Sequence, residues 1–224
     1  MDAAQPAENI SMKDIINEDL KKEFKNILNK HLDDRPFKEE KVKIWIENIL
    51  NEAKDYFVKK YPDYDLFLLN YIYPRNVYFR SNSSSISYFN TDLLDSVDLS
   101  TNDLYSVFYY FFFKHTNLEY SLEEIESEII QKGNDLLEKY LDERKYDYNT
   151  IENYNININT EYMNYIAAKN NKLRCFVVNE IYQKPIKSKY FFKYLCHGKE
   201  IHSKIFNKYI NDSLICCNSL YFFK

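Results

Sequence analysis

Apolar side chains return along this chain with two periods, and the change from one to the other divides it into elements. Between residues 12 and 32, Ile16, Leu20, Phe24, Ile27 and Leu28 are spaced by three and four, the mark of an amphipathic helix. Ser11, with Asp14 three residues on, is a capping pair at its start. A second helix is predicted from Glu39 to Lys60, with Val42, Trp45, Ile49, Ala53 and Tyr56 on one face and Pro62 closing it. Four runs rich in β-branched and aromatic residues then read as strands: Leu66–Tyr73, Val77–Arg80 continuing through Ile86–Phe89, Leu93–Leu99, and Leu104–Phe113. The unbroken aromatic run Tyr109–Phe113 implies a strand buried on both faces.

The same succession returns after Tyr120. Ile27–Phe37 and Leu136–Tyr146 share a phrase at an offset of 109 residues, with Arg35 matching Arg144. That offset pairs Val42 with Ile151, Trp45 with Tyr154, Asn70 with Asn179 and Val77 with Ile186. It also pairs Asn102-Asp103 with Asn211-Asp212 and Phe113 with Phe222, so the repeat is read without a gap. Ser121–Glu124 repeats the helix start, Gly133 stands where Phe24 does and should weaken that helix locally, and a second helix is predicted over 148–168. The second set of strands is Leu173–Tyr182, Ile186–Leu195, Ile201–Lys208 and Leu214–Phe223, with a glycine turn at His197-Gly198-Lys199. The predicted fold is α+β: two tandem units, each two helices followed by a four-stranded antiparallel sheet. Residues 1–10 are read as a flexible N-terminus, 11–114 as the first unit and 120–224 as the second.

Composition narrows the function classes. Only two glycines occur, which argues against phosphate-cradling loops. A net charge of -4 leaves no basic footprint for nucleic acid; Lys184, Lys187, Lys189 and Lys193 read as a solvated strand face. No apolar run approaches the length needed to cross a bilayer, and Met1–Pro6 lacks the basic and apolar stretches of a secretory leader. A soluble cytoplasmic protein with reduced thiols is expected. Asn, Lys, Ile and Tyr are over-used, which we ascribe to AT-rich coding.

Candidate chemistry is thin. Cys196, His197, His202, Cys216 and Cys217 lack the paired spacing of a zinc site, and adjacent Cys216 and Cys217 should face opposite sides of a strand. Glu123, Glu124, Glu126 and Glu128 read as a solvated helix face. A catalytic pair should stand apart from the repeat in one unit, and none does. Arg35 and Arg144 repeat beside acidic residues at a helix end, a structural position. No catalytic residue, metal or cofactor is expected.

Lys41-Val42-Lys43-Ile44-Trp45-Ile46-Glu47-Asn48-Ile49 resembles the second-helix signature of Tctex-type dynein light chains, a Lys-Val-x-x-Trp opening followed by an apolar stripe. The strand order after it fits as well, over about residues 37–113 and more loosely 146–224, where Thr150-Ile151-Glu152-Asn153-Tyr154 replaces the signature. The resemblance implies a two-helix, four-stranded fold that dimerises through its sheets and binds extended peptides at a strand edge. It also implies a cytoskeletal place in the microtubule motor, with the dynein intermediate chain as partner. Two tethered units could form that dimer within one chain or pair between chains. Peptide contact is expected on the second strands, at Val77, Phe79, Ile86 and Tyr88, and at Ile186, Tyr190, Tyr194 and Leu195. The alternative is a scaffold or assembly protein of the same fold unconnected with the motor.

Overall fold

The computed structural model describes residues 11–75, 81–87, 93–114, 125–170, 173–184, 191–198 and 201–223. Two helices open each half: α1 (Met12–Leu32) and α2 (Glu39–Lys60), then α3 (Glu126–Leu141) and α4 (Tyr148–Lys169). Ser11 and Asp14 form a full capping box, the Ser11 hydroxyl accepting from the Asp14 amide at 3.2 Å and the Asp14 carboxylate accepting from the Ser11 amide at 3.1 Å. The repeated start signal at Ser121–Glu124 lies outside the described residues. Asp34 and Glu143, one residue past the caps of α1 and α3, both sit at φ 54°. Neither is glycine, so each turn carries left-handed strain of about 1 kcal/mol.

The strands are β1 (Tyr64–Pro74), β2 (Ser81–Ser87), β3 (Leu93–Ser100) and β4 (Leu104–Lys114), then β5 (Arg174–Gln183), β6 (Phe191–His197), β7 (Ile201–Ile210) and β8 (Leu214–Phe223). The fold is α+β with antiparallel sheets, but each unit does not build a four-stranded sheet of its own. The sheets run β3-β4-β1-β6 and β2-β5-β8-β7. Each unit keeps three strands and sends its second strand across to the other: β6 pairs with β1, Leu68 opposite Leu195, and β2 pairs with β5, Ile86 opposite Val177.

The register also corrects the gap-free repeat. Asp65 lies opposite Phe113 in the first unit, and Arg174 opposite Phe223 in the second. The counterpart of Phe113 is therefore Phe223, not Phe222, and from the third strand onward the offset is 110. The extra residue enters between Ile201 and Ser203, where β7 carries a bulge. Asn102-Asp103 accordingly corresponds to Asp212-Ser213.

Four layers result. One core lies between α1, α2 and the first sheet, a second between α3, α4 and the other sheet. A third lies between the sheets, where Phe67, Leu69, Tyr71, Phe111 and Phe113 meet Phe176, Val178, Tyr221 and Phe223. Strand alternation explains the aromatic run of β4: Phe108, Tyr110 and Phe112 face the helices, while Tyr109, Phe111 and Phe113 face the other sheet. The Phe67 ring lies 4.9 Å from Tyr221 and 5.2 Å from Phe176, within the range of favourable aromatic pairing.

Gly133 is buried, and the helix runs through it. A Cβ there would overlap Asn207 Nδ2 and come within 2.6 Å of the Tyr162 hydroxyl. Tyr162 occupies the position of Ala53, so large and small residues are exchanged at equivalent positions: Phe24 and Ala53 share the first core, whereas Gly133 meets Tyr162. The Tyr162 hydroxyl donates to the Ile129 carbonyl at 2.7 Å and accepts from Asn207 at 3.1 Å.

Candidate functional site: the sheet edges

Exchange places the second strands at the sheet margins. Among the described residues β2 is paired only with β5, and β6 only with β1, so each has one ladder edge without a strand. Of the eight expected contact residues, Val77, Phe79, Tyr88, Ile186 and Tyr190 lie outside the described residues. Ile86 belongs to β2, and Tyr194 and Leu195 to β6, where Tyr194 stands opposite Leu69; the side chains of Ile86 and Tyr194 are also outside the described set. Leu195 is half-buried against the first core, so it anchors β6 to its host sheet.

β3 and β7 form the other two margins. Five residues separate β2 from β3 and three separate β6 from β7, and in both cases the connection passes from one sheet to the other. Each flank of the molecule thus bears two strand edges from a single unit. The chemistry of the flanks differs. β2 and β3 carry Asp95 and Asp98 and no Lys or Arg, whereas β6 and β7 carry Lys193, Lys204 and Lys208 and no carboxylate.

No family model and no curated protein matches this chain.

Most of the polar clusters repeat, which marks them as structural. Asp19 accepts from Tyr56 at 2.8 Å and Tyr61 at 2.6 Å and pairs with Lys60. Burial raises the Asp19 pKa, but these bonds outweigh it and leave the carboxyl below its ordinary range. At the matching positions Glu128 accepts from Tyr165 at 3.3 Å and pairs with Lys169. Lys30 and His31 hold Glu52, as Lys139 and Tyr140 hold Glu161. Arg144 lies 5.7 Å from the Tyr154 ring, and Arg35 lines one cleft with Trp45, so the repeated arginine accompanies the repeated aromatic in both units.

Two buried polar features have no role assigned from the sequence. Asn70 and Asn179 are fully buried on the central strands. Asn70 donates to Ser106 at 3.3 Å, and Cys216, in the position of Ser106, donates to Asn179 at 3.1 Å. The second feature is Glu180, 6 % exposed in the layer between the sheets, where the first unit has Tyr71. Burial pushes its pKa up to about 7, against hydrogen bonds from Tyr182 and Tyr71 and the nearby charge of Lys204.

Of the positions weighed for metal chemistry, the side chains of Cys196 and His202 lie outside the described residues. Cys216 lies in the second core, and among the described residues no three His, Cys, Asp or Glu side chains gather as a metal site. His197 lines a shallow cleft with Asp65 and Lys114 beside Gly198, which has the positive φ expected of it, 86°; Lys199, the next residue of the expected turn, lies outside the described residues. No helix among the described residues is long and apolar enough to cross a membrane.

Proposed function

We propose that this chain is a non-catalytic adaptor that captures extended segments of partner proteins by strand addition at its sheet edges, as the resemblance to Tctex-type dynein light chains implies. The observation that carries the reading is the exchange of second strands. It brings β2 and β6 to sheet margins, each with a ladder edge that no strand covers among the described residues, and such edges accept a further strand. Main-chain bonds would supply affinity, and alternating side chains selectivity. Face-to-face packing of the two sheets supports the second part of the reading, that one chain serves as its own dimer. The repeated polar clusters add to it: paired carboxylates occur at matching positions in both units, as structural clasps do.

The expected partner is a dynein intermediate-chain segment, and the expected setting is cytoplasmic and cytoskeletal. The test is retention of the full chain on an immobilised intermediate-chain segment. Binding at micromolar concentration is the expected result. Failure at that concentration would remove the motor and leave a scaffold of the same fold.

A further inference from the structure

Among the described residues, the surface of β7 departs from the internal symmetry. Lys204, Phe206, Lys208 and Ile210 alternate with inward-facing residues and are exposed, Phe206 at 54 % and Ile210 at 50 %. With the offset of 110, Phe206, Lys208 and Ile210 correspond to Ser96, Asp98 and Ser100 of β3, all exposed on the equivalent strand. The fold therefore accepts small polar residues and a carboxylate on this face, and gives no reason for two large apolar side chains in water. Edge lysines alone guard a sheet margin against pairing; guarding does not call for the apolar residues on either side of Lys208.

Charge is settled differently on the two strands. On β3, Asp95 is paired with Lys21 at 2.8 Å, and Lys25 donates to the Asp98 carbonyl. The α3 positions matching Lys21 and Lys25 are Ile130 and Asn134, so α3 brings no charge to β7 from there, and Ile130 is itself partly exposed, at 38 %. The Lys204 ammonium is already engaged, 5.0 Å from the Tyr221 ring and near Glu180. Lys208 makes no ion pair among the described residues and stands between the exposed apolar pair.

We infer that the outer edge of β7 docks an extended partner segment bearing apolar, acidic and apolar side chains at every second position, and that the equivalent β3 edge does not. A strand added beside β7 places its side chains opposite Phe206, Lys208 and Ile210. Directly opposed apolar and opposite-charge pairs stabilise such a ladder, and like charges weaken it. This inference rests on the adaptor reading but names a different edge and a partner chemistry. It yields one site per chain instead of the two equal sites of a symmetric dimer.

Fluorescence anisotropy of the full chain with labelled peptides tests it. The probe contains Leu-Thr-Asp-Thr-Leu, and its control has Lys in place of Asp. The expected result is saturable binding of the Asp peptide at one site, with weaker binding of the Lys peptide and attenuation by salt. Phe206→Ser with Lys208→Asp, the residues that β3 already carries, should weaken binding about tenfold. Lys208→Asp alone should reverse the preference. Ser96→Phe with Asp98→Lys should add a second site. Equal binding of both peptides, two sites in the unaltered chain, or indifference to the β7 variants would overturn the inference. Salt-sensitive self-association that blocks the peptide would also overturn it, because the occupant would then be a second copy. Loss of intermediate-chain binding with retention of the Asp peptide would remove only the motor assignment.

Discussion

At positions 24 and 53 the helix pair of the first unit buries a phenylalanine and an alanine in one core, and at 133 and 162 that of the second sets a glycine against a tyrosine. Gly133→Phe alone would overpack that crossing at a cost of about 1–3 kcal/mol or more. Combining it with Tyr162→Ala and Asn207→Val, which recreates Phe24, Ala53 and Val97, should recover most of the loss, as read by denaturant midpoints. No recovery would mean that the two crossings are not equivalent. Glu180 makes a pH prediction. Its folded-state pKa of about 7 exceeds the ordinary 4.5, so the folded chain holds a proton that the unfolded chain releases. Its contribution to stability is fully present below pH 4.5 and is lost as pH rises through about 7. Melting temperatures should therefore fall over that window, and Glu180→Gln should flatten the slope; an unchanged slope would place the titration elsewhere. Tyr71, Tyr182, Lys204 and Cys216 are the ionisable groups that interact with it. The sequence marks these residues to different degrees. Asn70 and Asn179 are lost amid abundant asparagine, although their repetition at a fixed offset is a signal. Glu180 is visible as a lone carboxylate inside the apolar run Phe176–Tyr182.

Helices were the most legible elements, because a 3.6-residue stripe, a capping serine and a closing proline each specify a boundary locally. α2 begins and ends where the pattern places it, and α4 extends one residue beyond. Strand existence was legible as well; strand partnership was not. A second strand that folds back on its own unit and one that crosses to the other unit show the same alternation, so no local pattern separates them. The one-residue slip was hidden by doublets: Phe112-Phe113 matches Phe222-Phe223 in either register, and Asn102-Asp103 finds a coincidental partner in Asn211-Asp212. The crossing has a consequence for perturbation. Leu195→Pro lies in the second unit by sequence but removes a ladder position beside Leu68. Amide exchange should therefore accelerate in β1, at Leu66–Ile72, more than in β5. Faster exchange confined to the second unit would contradict the strand order.

For the whole molecule, the four layers share a central aromatic seam and two exchanged strands, so neither unit can lose its structure while the other keeps a complete sheet. One cooperative thermal transition is expected, with calorimetric and van't Hoff enthalpies that agree; two separate transitions would show that the exchanged strands carry little energy. The pseudo-symmetry that was partly legible in the sequence also shows where the halves have diverged, as at Asp98 and Lys208. The exchange matters again while the chain is being made. β1 finds β6 only after more than a hundred further residues have left the ribosome, since Leu66 pairs with His197. At roughly 5–20 residues per second, the emerging first half must wait on the order of ten seconds with an uncovered margin. A nascent-chain chaperone that shields open β structure would be needed most in that interval.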